Sequence, residues 1–293
     1  MANLSTTQRP AGETPAGAAP LLAVRGVSKR YVSGHGGRER SLLALDDVTL
    51  QVARGEFVAL VGPSGCGKST LLSIIAGLED ATSGEIALRG DAQAPRLGQV
   101  GYMPQRDLLL PWRDALGNAI AGLRVQGVAR AEAEARARAL FADFGLSGFE
   151  RAYPPALSGG MRQRVAFART ALVTRDLMLL DEPFGALDAL TRAALQRWLG
   201  GALTRMGATC LLVTHDVEEA LTLADRIYVM SPRPGHVRLE RHVPAPRPCT
   251  QADLAQPAMA ALKAELLDAL LDANTFPGSA PTARADQWEG GAR

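Results

Sequence analysis

Cysteine is scarce: Cys66, Cys210 and Cys249 are the only three, with no C-x-x-C pair and no histidine cluster beside them. Neither a disulfide framework nor a zinc site is therefore expected, and the chain suits a reducing cytoplasm. An excess of one charge is also missing, since 32 basic residues face 30 acidic ones for a net +2, with no long basic run. Nucleic acid is not an expected partner. No apolar run approaches the roughly 18 residues that a membrane-spanning helix needs, so any membrane attachment is expected to run through another protein. Internal repeats are absent. Residues Met1 to Pro20, rich in Ala, Thr, Pro and Gly, lack the apolar core of a secretion signal and are expected to form a disordered leader, as is the tail Asn274 to Arg293. The 293 residues suit one large domain with a small appendage. Of the four histidines, His35, His236 and His242 read as ordinary surface residues, and His215 alone ends an apolar strand candidate.

What is present is more specific. Gly62-Pro63-Ser64-Gly65-Cys66-Gly67-Lys68-Ser69 fits the pattern G-x-x-x-x-G-K-[ST] between an apolar strand candidate, Glu56 to Val61, and a helix start, Ser69 to Ala76. Glycines let successive backbone N–H groups curl towards one anion, and the helix N-terminus adds partial positive charge. Lys68 can reach the terminal phosphates of a nucleotide, Ser69 is the expected magnesium ligand, and Thr70 completes the phosphate-binding turn. Because Cys66 lies inside this loop, a thiol modifier is expected to block nucleotide binding; the alternative is a buried, inert thiol.

Along the chain, short strands are expected at Leu21 to Val24 and Val48 to Val52, separated by a glycine-rich loop at Val32 to Arg38. Further strands are expected at Glu85 to Leu88 and Val100 to Met103. From about Asp107 the pattern turns helical, including Ala129 to Gly145 with exposed Glu132/Arg136 and Glu134/Arg138 pairs at i,i+4. Strands and helices then alternate: Leu177 to Leu180, Leu190 to Thr204, Thr209 to Val213, Val217 to Ala224 and Arg226 to Met230. Such alternation implies a mainly parallel sheet with helices on its faces, and ligands of such sheets gather at the strand carboxyl ends. A last helix carries the apolar stripe Met259, Leu262, Leu266 and Leu270, expected to pack on its own domain.

Two further motifs narrow the reading. Leu157-Ser158-Gly159-Gly160-Met161-Arg162-Gln163-Arg164 precedes an apolar helical stretch, and Leu177-Met178-Leu179-Leu180-Asp181-Glu182 reads as a buried strand ending in two carboxylates. With these motifs the chain resembles the ATP-binding subunits of ABC transporters, whose signature is the S-G-G-x-x-Q-R run. The resemblance covers roughly Leu21 to Val243. It implies an α/β fold, a P-loop NTPase cassette with a mainly parallel core sheet, an antiparallel β subdomain and a helical signature subdomain at about 107–164, followed by a C-terminal helix and tail at 244–293. It also implies ATP and Mg2+ as cofactors. On the same basis Asp181 would order magnesium through water and Glu182 would be the general base. Gln105 would touch magnesium and the attacking water, His215 would contact the γ-phosphate, and Tyr31 would stack on adenine. Ala186-Leu187-Asp188 matches the loop that meets its counterpart across a dimer. ATP at Lys68 of one subunit would then be completed by Ser158, Gly159 and Gly160 of a second copy.

Within that family, Leu109-Leu110-Pro111-Trp112, the run from Pro183 to Arg192, and Met230-Ser231-Pro232-Arg233-Pro234-Gly235 look like the nitrate, sulfonate and taurine importer subgroup. Importers of thiamine-precursor pyrimidines share these segments. An exporter cassette or a non-transport ATPase of the family is the alternative. The expected partners are membrane permease subunits, a second copy of this chain and, indirectly, a periplasmic or lipid-anchored substrate-binding protein. The expected location is the cytoplasmic face of the inner membrane.

Overall fold

The computed structural model describes residues 19–35, 38–174, 176–185 and 187–274, so the expected leader up to residue 18 and the tail beyond 274 lie outside the described residues. The chain opens with two long strands, β1 (Leu22–His35) and β2 (Arg38–Val52), then β3 (Phe57–Val61) and α1 (Lys68–Ile75). β4 (Ser83–Leu88) and β5 (Gly101–Met103) precede a helical stretch: α2 (Ala115–Ala119), α3 (Ala121–Val125), α4 (Arg130–Asp143), a 3-10 turn at Pro154–Ala156 and α5 (Gly159–Val173). Then come β6 (Met178–Asp181), α6 (Ala189–Met206), β7 (Cys210–Thr214), α7 (Val217–Leu223), β8 (Arg226–Met230) and β9 (Val237–His242). Two last helices, α8 (Gln251–Leu254) and α9 (Pro257–Asn274), complete the described chain.

These strands form two sheets. A six-stranded sheet has the order β5-β6-β7-β3-β8-β9, in which every neighbouring pair is parallel except β8 and β9. A three-stranded antiparallel sheet has the order β2-β1-β4. The alternation along β3 explains how the large sheet is covered on both sides, since successive side chains of a strand point to opposite faces. Phe57, Ala59 and Val61 join the core shared with α5, α6, α7 and α9, whereas Val58 and Leu60 join a second core with α1 and the antiparallel sheet. Helix α1 is thus a middle layer between two sheets, with Leu71, Leu72, Ile74 and Ile75 at most 1 % exposed. Helix starts follow local chemistry: Ser158, Asp188 and Asp216 accept backbone N–H bonds at the N-termini of α5, α6 and α7.

Two features depart from the sequence reading. Most of the expected glycine-rich loop at Val32 to Arg38 is strand: β1 and β2 pair continuously out to His35 opposite Arg38, with only Gly36 and Gly37 outside the described residues. Backbone ladder bonds need no particular side chain, so pairing with a long partner overrides weak local strand propensity. The hairpin is also bulged between Val24 and Val27, where Gly26 takes a φ of +60° that other residues adopt only with strain. The second departure is β9, an antiparallel edge strand in which only Val237 and Leu239 are half-buried against the cores, too short an alternation to mark a strand in the sequence. The stripe on α9 packs inward as expected, with Met259, Leu262 and Leu266 buried.

Where β3 begins, the sheet is tied to its neighbours by a buried ion pair. Arg226 at the start of β8 donates from Nε to Glu56 Oε1 at 2.8 Å and from a terminal nitrogen to Oε2 at 2.7 Å, and it also bonds Glu240 and the Gln51 carbonyl. Both side chains are under 10 % exposed. Removing one partner leaves the other charge buried and incompletely paired, which costs about 3 kcal/mol or more. Glu56→Ala is expected to lower unfolding free energy by about 3 kcal/mol in denaturant titrations, with Glu56→Gln losing less.

Candidate functional site

Side chains named from different motifs meet at one edge of the large sheet, because its parallel strands stop at similar heights. Val61 pairs with Thr214, Asp181 with Val213, and Met103 with Leu180. The loop after β3, the carboxylates ending β6, Gln105 after β5 and His215 after β7 consequently share one side of the molecule.

In the phosphate-loop segment, Gly65 and Gly67 adopt φ values of +75° and +109°, and a Cβ on Gly67 would lie 2.6 Å from the Leu45 side chain. Both backbone freedom and space therefore require glycine there. Lys68 is 5 % exposed, and its ammonium donates to the Gly62 and Pro63 carbonyls at 2.6 and 2.9 Å. Those bonds pull carbonyls inward to the lysine and fix the loop's curl around the start of α1. Ser64 is exposed on the loop, and Pro63 and Thr70 are half-buried. Cys66 is 1 % exposed and burial pushes its thiol upward, an effect that Lys68 only partly opposes. The accessible thiol that the sequence suggested is thus not what the fold provides; the site favours the inert alternative.

Asp181 closes β6 as a buried carboxylate, 4 % exposed. Burial pushes its pKa upward; the Ser69 hydroxyl opposes that rise, neighbouring Glu182 adds to it, and Lys68 opposes it. Its Oδ1 is buried without a hydrogen-bond partner. A buried acceptor so left needs a partner of another kind, and beside a serine hydroxyl and a lysine a divalent cation fits. No group of three or more His, Cys, Asp or Glu among the described residues could hold an ion unaided. This sparse donor set suits magnesium, which keeps waters and takes substrate phosphates as ligands.

Glu182 follows at a φ of +43°, a left-handed conformation that costs a non-glycine residue about 1 kcal/mol or more. Its backbone N–H is held by the Val213 carbonyl at 2.9 Å. Its Oε2 accepts from Gln105 Nε2 at 3.2 Å and lies 3.3 Å from His215 Nδ1. Glu182, Gln105 and His215, singled out separately in the sequence, are therefore one cluster. Tyr31 stands on β1, 37 % exposed, with its hydroxyl donating to Glu79 Oε2 at 2.7 Å and its side chain beside Thr70. That places the aromatic next to the end of the phosphate loop.

Ser158, Gly159 and Gly160 are brought elsewhere. Ser158 caps α5 by accepting from Met161 N at 3.2 Å. The two glycines lie against Leu187 and Thr191, and among the described residues none of the three bonds to the phosphate loop. Ala186 lies outside the described residues.

Sequence reasoning missed Glu219, on α7 behind His215. It is 5 % exposed, its Oε2 accepts from Thr214 Oγ1 at 2.8 Å, and its Oε1 has no partner. Burial raises its carboxyl to about 8, with the Thr214 hydroxyl opposing, Asp216 adding, Arg192 opposing and Glu182 adding. A glutamate in the acidic first turn of a helix gives no sequence signal of this, since Glu218 beside it is exposed.

Comparisons with known proteins show the family and the fold. Residues 45–185 match the family model for the ABC transporter. The chain is 47 % identical to an aliphatic sulfonates import ATP-binding protein of Rhodococcus jostii over 82 % of its own length and 93 % of the other. It is 43 % identical to a taurine import ATP-binding protein of Burkholderia pseudomallei, covering 75 % of this chain and 83 % of that one. A formylaminopyrimidine import ATP-binding protein of Halalkalibacterium halodurans is also 43 % identical, over 76 % of this chain and 85 % of its own. Among solved structures, a dimeric bacterial ABC transporter cassette superposes with a TM-score of 0.65 at 31 % identity, covering 76 % of this chain and 98 % of the cassette. A post-hydrolysis dimer bound to ADP and Pi superposes at 0.63, with the same identity and coverage.

Glu219 gives a test of the buried geometry. Its carboxyl titrates near 8 in the folded chain against 4.5 for the free side chain, so between those values the folded state holds a proton that the unfolded state has lost. That contribution to stability is complete below the free value and is lost as pH rises towards 8. Glu219→Gln cannot ionise, so its melting temperature relative to the unaltered protein is expected to rise by about 5 °C between pH 5 and pH 8, followed by calorimetry.

Proposed function

We propose that this chain, which belongs to the ABC transporter family, is the ATP-hydrolysing subunit that powers uptake of a small solute such as an aliphatic sulfonate or taurine. The observation that carries the catalytic reading is the convergence at the sheet edge: an unpartnered Asp181 oxygen beside Ser69 and Lys68, and one Glu182 oxygen shared by Gln105 and His215. The named activities of the relatives supply the transport side of the reading.

In this reading ATP lies with its phosphates along Gly62, Pro63, Ser64, Gly65, Cys66, Gly67, Lys68, Ser69 and Thr70 and its adenine against Tyr31. Ser69, Asp181 and Gln105 would hold Mg2+, which would supply neutralisation of phosphate charge. Glu182 orients the attacking water and takes its proton, and the strained backbone at Glu182 keeps the carboxylate aimed out of the strand. Gln105 and His215 fix the carboxylate's position through the shared oxygen, and His215, 56 % exposed at its side chain, is free to reach the γ-phosphate. Positioning and charge neutralisation carry such a transfer. Ser158, Gly159 and Gly160 make no hydrogen bond to the loop of their own chain among the described residues, and in this reading they complete the site of a second copy, as the dimeric state of the similar cassettes supports.

The unit at 21–243 is the ATPase, with 107–164 as its helical subdomain and 244–274 a C-terminal support packed on α7 and β8. Gln105 precedes the helical stretch, so a change at the phosphates can be passed into it. No helix among the described residues is long and apolar enough to cross a membrane. The chain therefore reaches the cytoplasmic face of the membrane through a permease, which, with a substrate-binding protein outside, selects the solute.

Two experiments test this. Glu182→Gln keeps shape but loses the base, so phosphate release is expected to fall about a hundredfold or more while Mg-ATP still binds and a dimer accumulates in light scattering. Lys68→Ala removes charge-assisted phosphate contacts and is expected to weaken ATP binding about tenfold or more and to leave a monomer. Near-normal turnover in Glu182→Gln would remove that residue from its role. Co-expression with the cognate permease is expected to carry the protein into the membrane fraction, whereas recovery on ribosomes or DNA instead would overturn the transport reading.

A further inference from the structure

The turn between β8 and β9 was singled out in the sequence only as a subgroup marker, yet it lies on the phosphate loop. Arg233 donates from Nε and a terminal nitrogen to the Gly65 carbonyl, at 3.0 and 2.7 Å. Two residues on, Gly235 packs so closely on the loop that a Cβ there would lie 2.1 Å from the Cys66 carbonyl oxygen. The turn is itself anchored. Ser231 Oγ contacts His236 Nδ1 at 2.9 Å and accepts from the His236 backbone N–H at 2.9 Å. Gly235 donates to the Ala44 carbonyl at 3.0 Å and accepts from Asp46 N at 2.9 Å. The guanidinium is thus fixed to a turn held by the antiparallel sheet, and the loop carbonyl is fixed to the guanidinium.

This arrangement has a consequence for the loop's N–H groups. A trans peptide is planar, with its N–H and C=O pointing opposite ways, so holding a carbonyl on one side commits the N–H of that peptide to the other. Arg233 holds the Gly65 carbonyl from outside the loop, and the N–H of the same peptide, that of Cys66, turns inward to the Pro63 carbonyl at 3.3 Å, which Lys68 also holds. Gly65, at φ +75°, has the freedom to turn over if that hold is released. We propose that Arg233 is a positioning residue for ATP, holding the Gly65 carbonyl and with it the curl that the loop presents to the phosphates, with Gly235 as the close contact that allows the turn to reach the loop. The proposal rests on the phosphate loop being the ATP site.

Such a residue acts on the nucleotide before and during hydrolysis alike, so its loss raises KM without lowering kcat. In the full-length protein, Arg233→Ala is expected to raise both the KM for Mg-ATP and the Kd for Mg-ADP about five- to tenfold, with kcat within about twofold and the melting temperature unchanged. Arg233→Lys, able to offer one donor to the same carbonyl, is expected to recover part of the affinity. Gly235→Ala is expected to weaken nucleotide binding as well, by displacing the turn from Cys66. Unchanged KM and Kd in Arg233→Ala would overturn the proposal, as would a fall in kcat accompanied by a lower melting temperature that Arg233→Lys does not repair. Lys68→Ala measured alongside separates the two readings: if it abolishes binding while Arg233→Ala has no effect, only the positioning role fails, and if neither variant alters binding, the ATP site itself is wrongly placed.

Discussion

Parallel pairing of β5, β6, β7 and β3 makes four loops emerge side by side, and the site depends on that register before it depends on any single side chain. Each strand ends in a different motif, and the interstrand spacing of about 4.8 Å puts their first loop residues within reach of one another. A shift of one residue in β6 would turn the Asp181 side chain to the other face of the sheet. The register is held where the strands are buried on both faces, and it is closed at the other end of β3 by the Arg226–Glu56 pair. Strand packing therefore positions the chemistry that the loops carry.

Burial sets the electrostatics of this edge. Asp181, Glu219 and Lys68 are all at most 5 % exposed, and each is compensated differently. Lys68 is satisfied by backbone carbonyls of its own loop, whereas Asp181 and Glu219 each keep one oxygen without a protein partner. An unpaired carboxylate oxygen in a low-dielectric site is costly. At Asp181 the neighbours are the Ser69 hydroxyl and Lys68, both of which oppose the rise that burial causes; at Glu219, which sits behind the strand end, burial raises the carboxyl to about 8 and retention of the proton compensates.

The antiparallel sheet and the β8–β9 turn bear on the same loop from outside the parallel core. Leu45 on β2 leaves room only for glycine at 67, and Ala44 and Asp46 hold Gly235 against Cys66. The small sheet therefore does more than carry Tyr31: its edge shapes the loop proposed to receive the phosphates.

The amino-acid order alone determined the local chemistry. The glycines and lysine of the phosphate loop, the serine and glycines that start α5, the apolar run of β3 and the paired carboxylates after another apolar run are short-range patterns, and each was readable because its cause lies within a few residues. Tertiary structure decided what depends on partners distant in the chain. The β1–β2 ladder ran through a segment whose glycines read as loop, β9 formed on an apolar alternation of only Val237 and Leu239 because β8 offered an open edge, and Glu219 became buried where its neighbour Glu218 did not. Arg233 met Gly65 across 168 residues of sequence. Backbone pairing and burial are properties of the surface an element meets, and no local period encodes that surface.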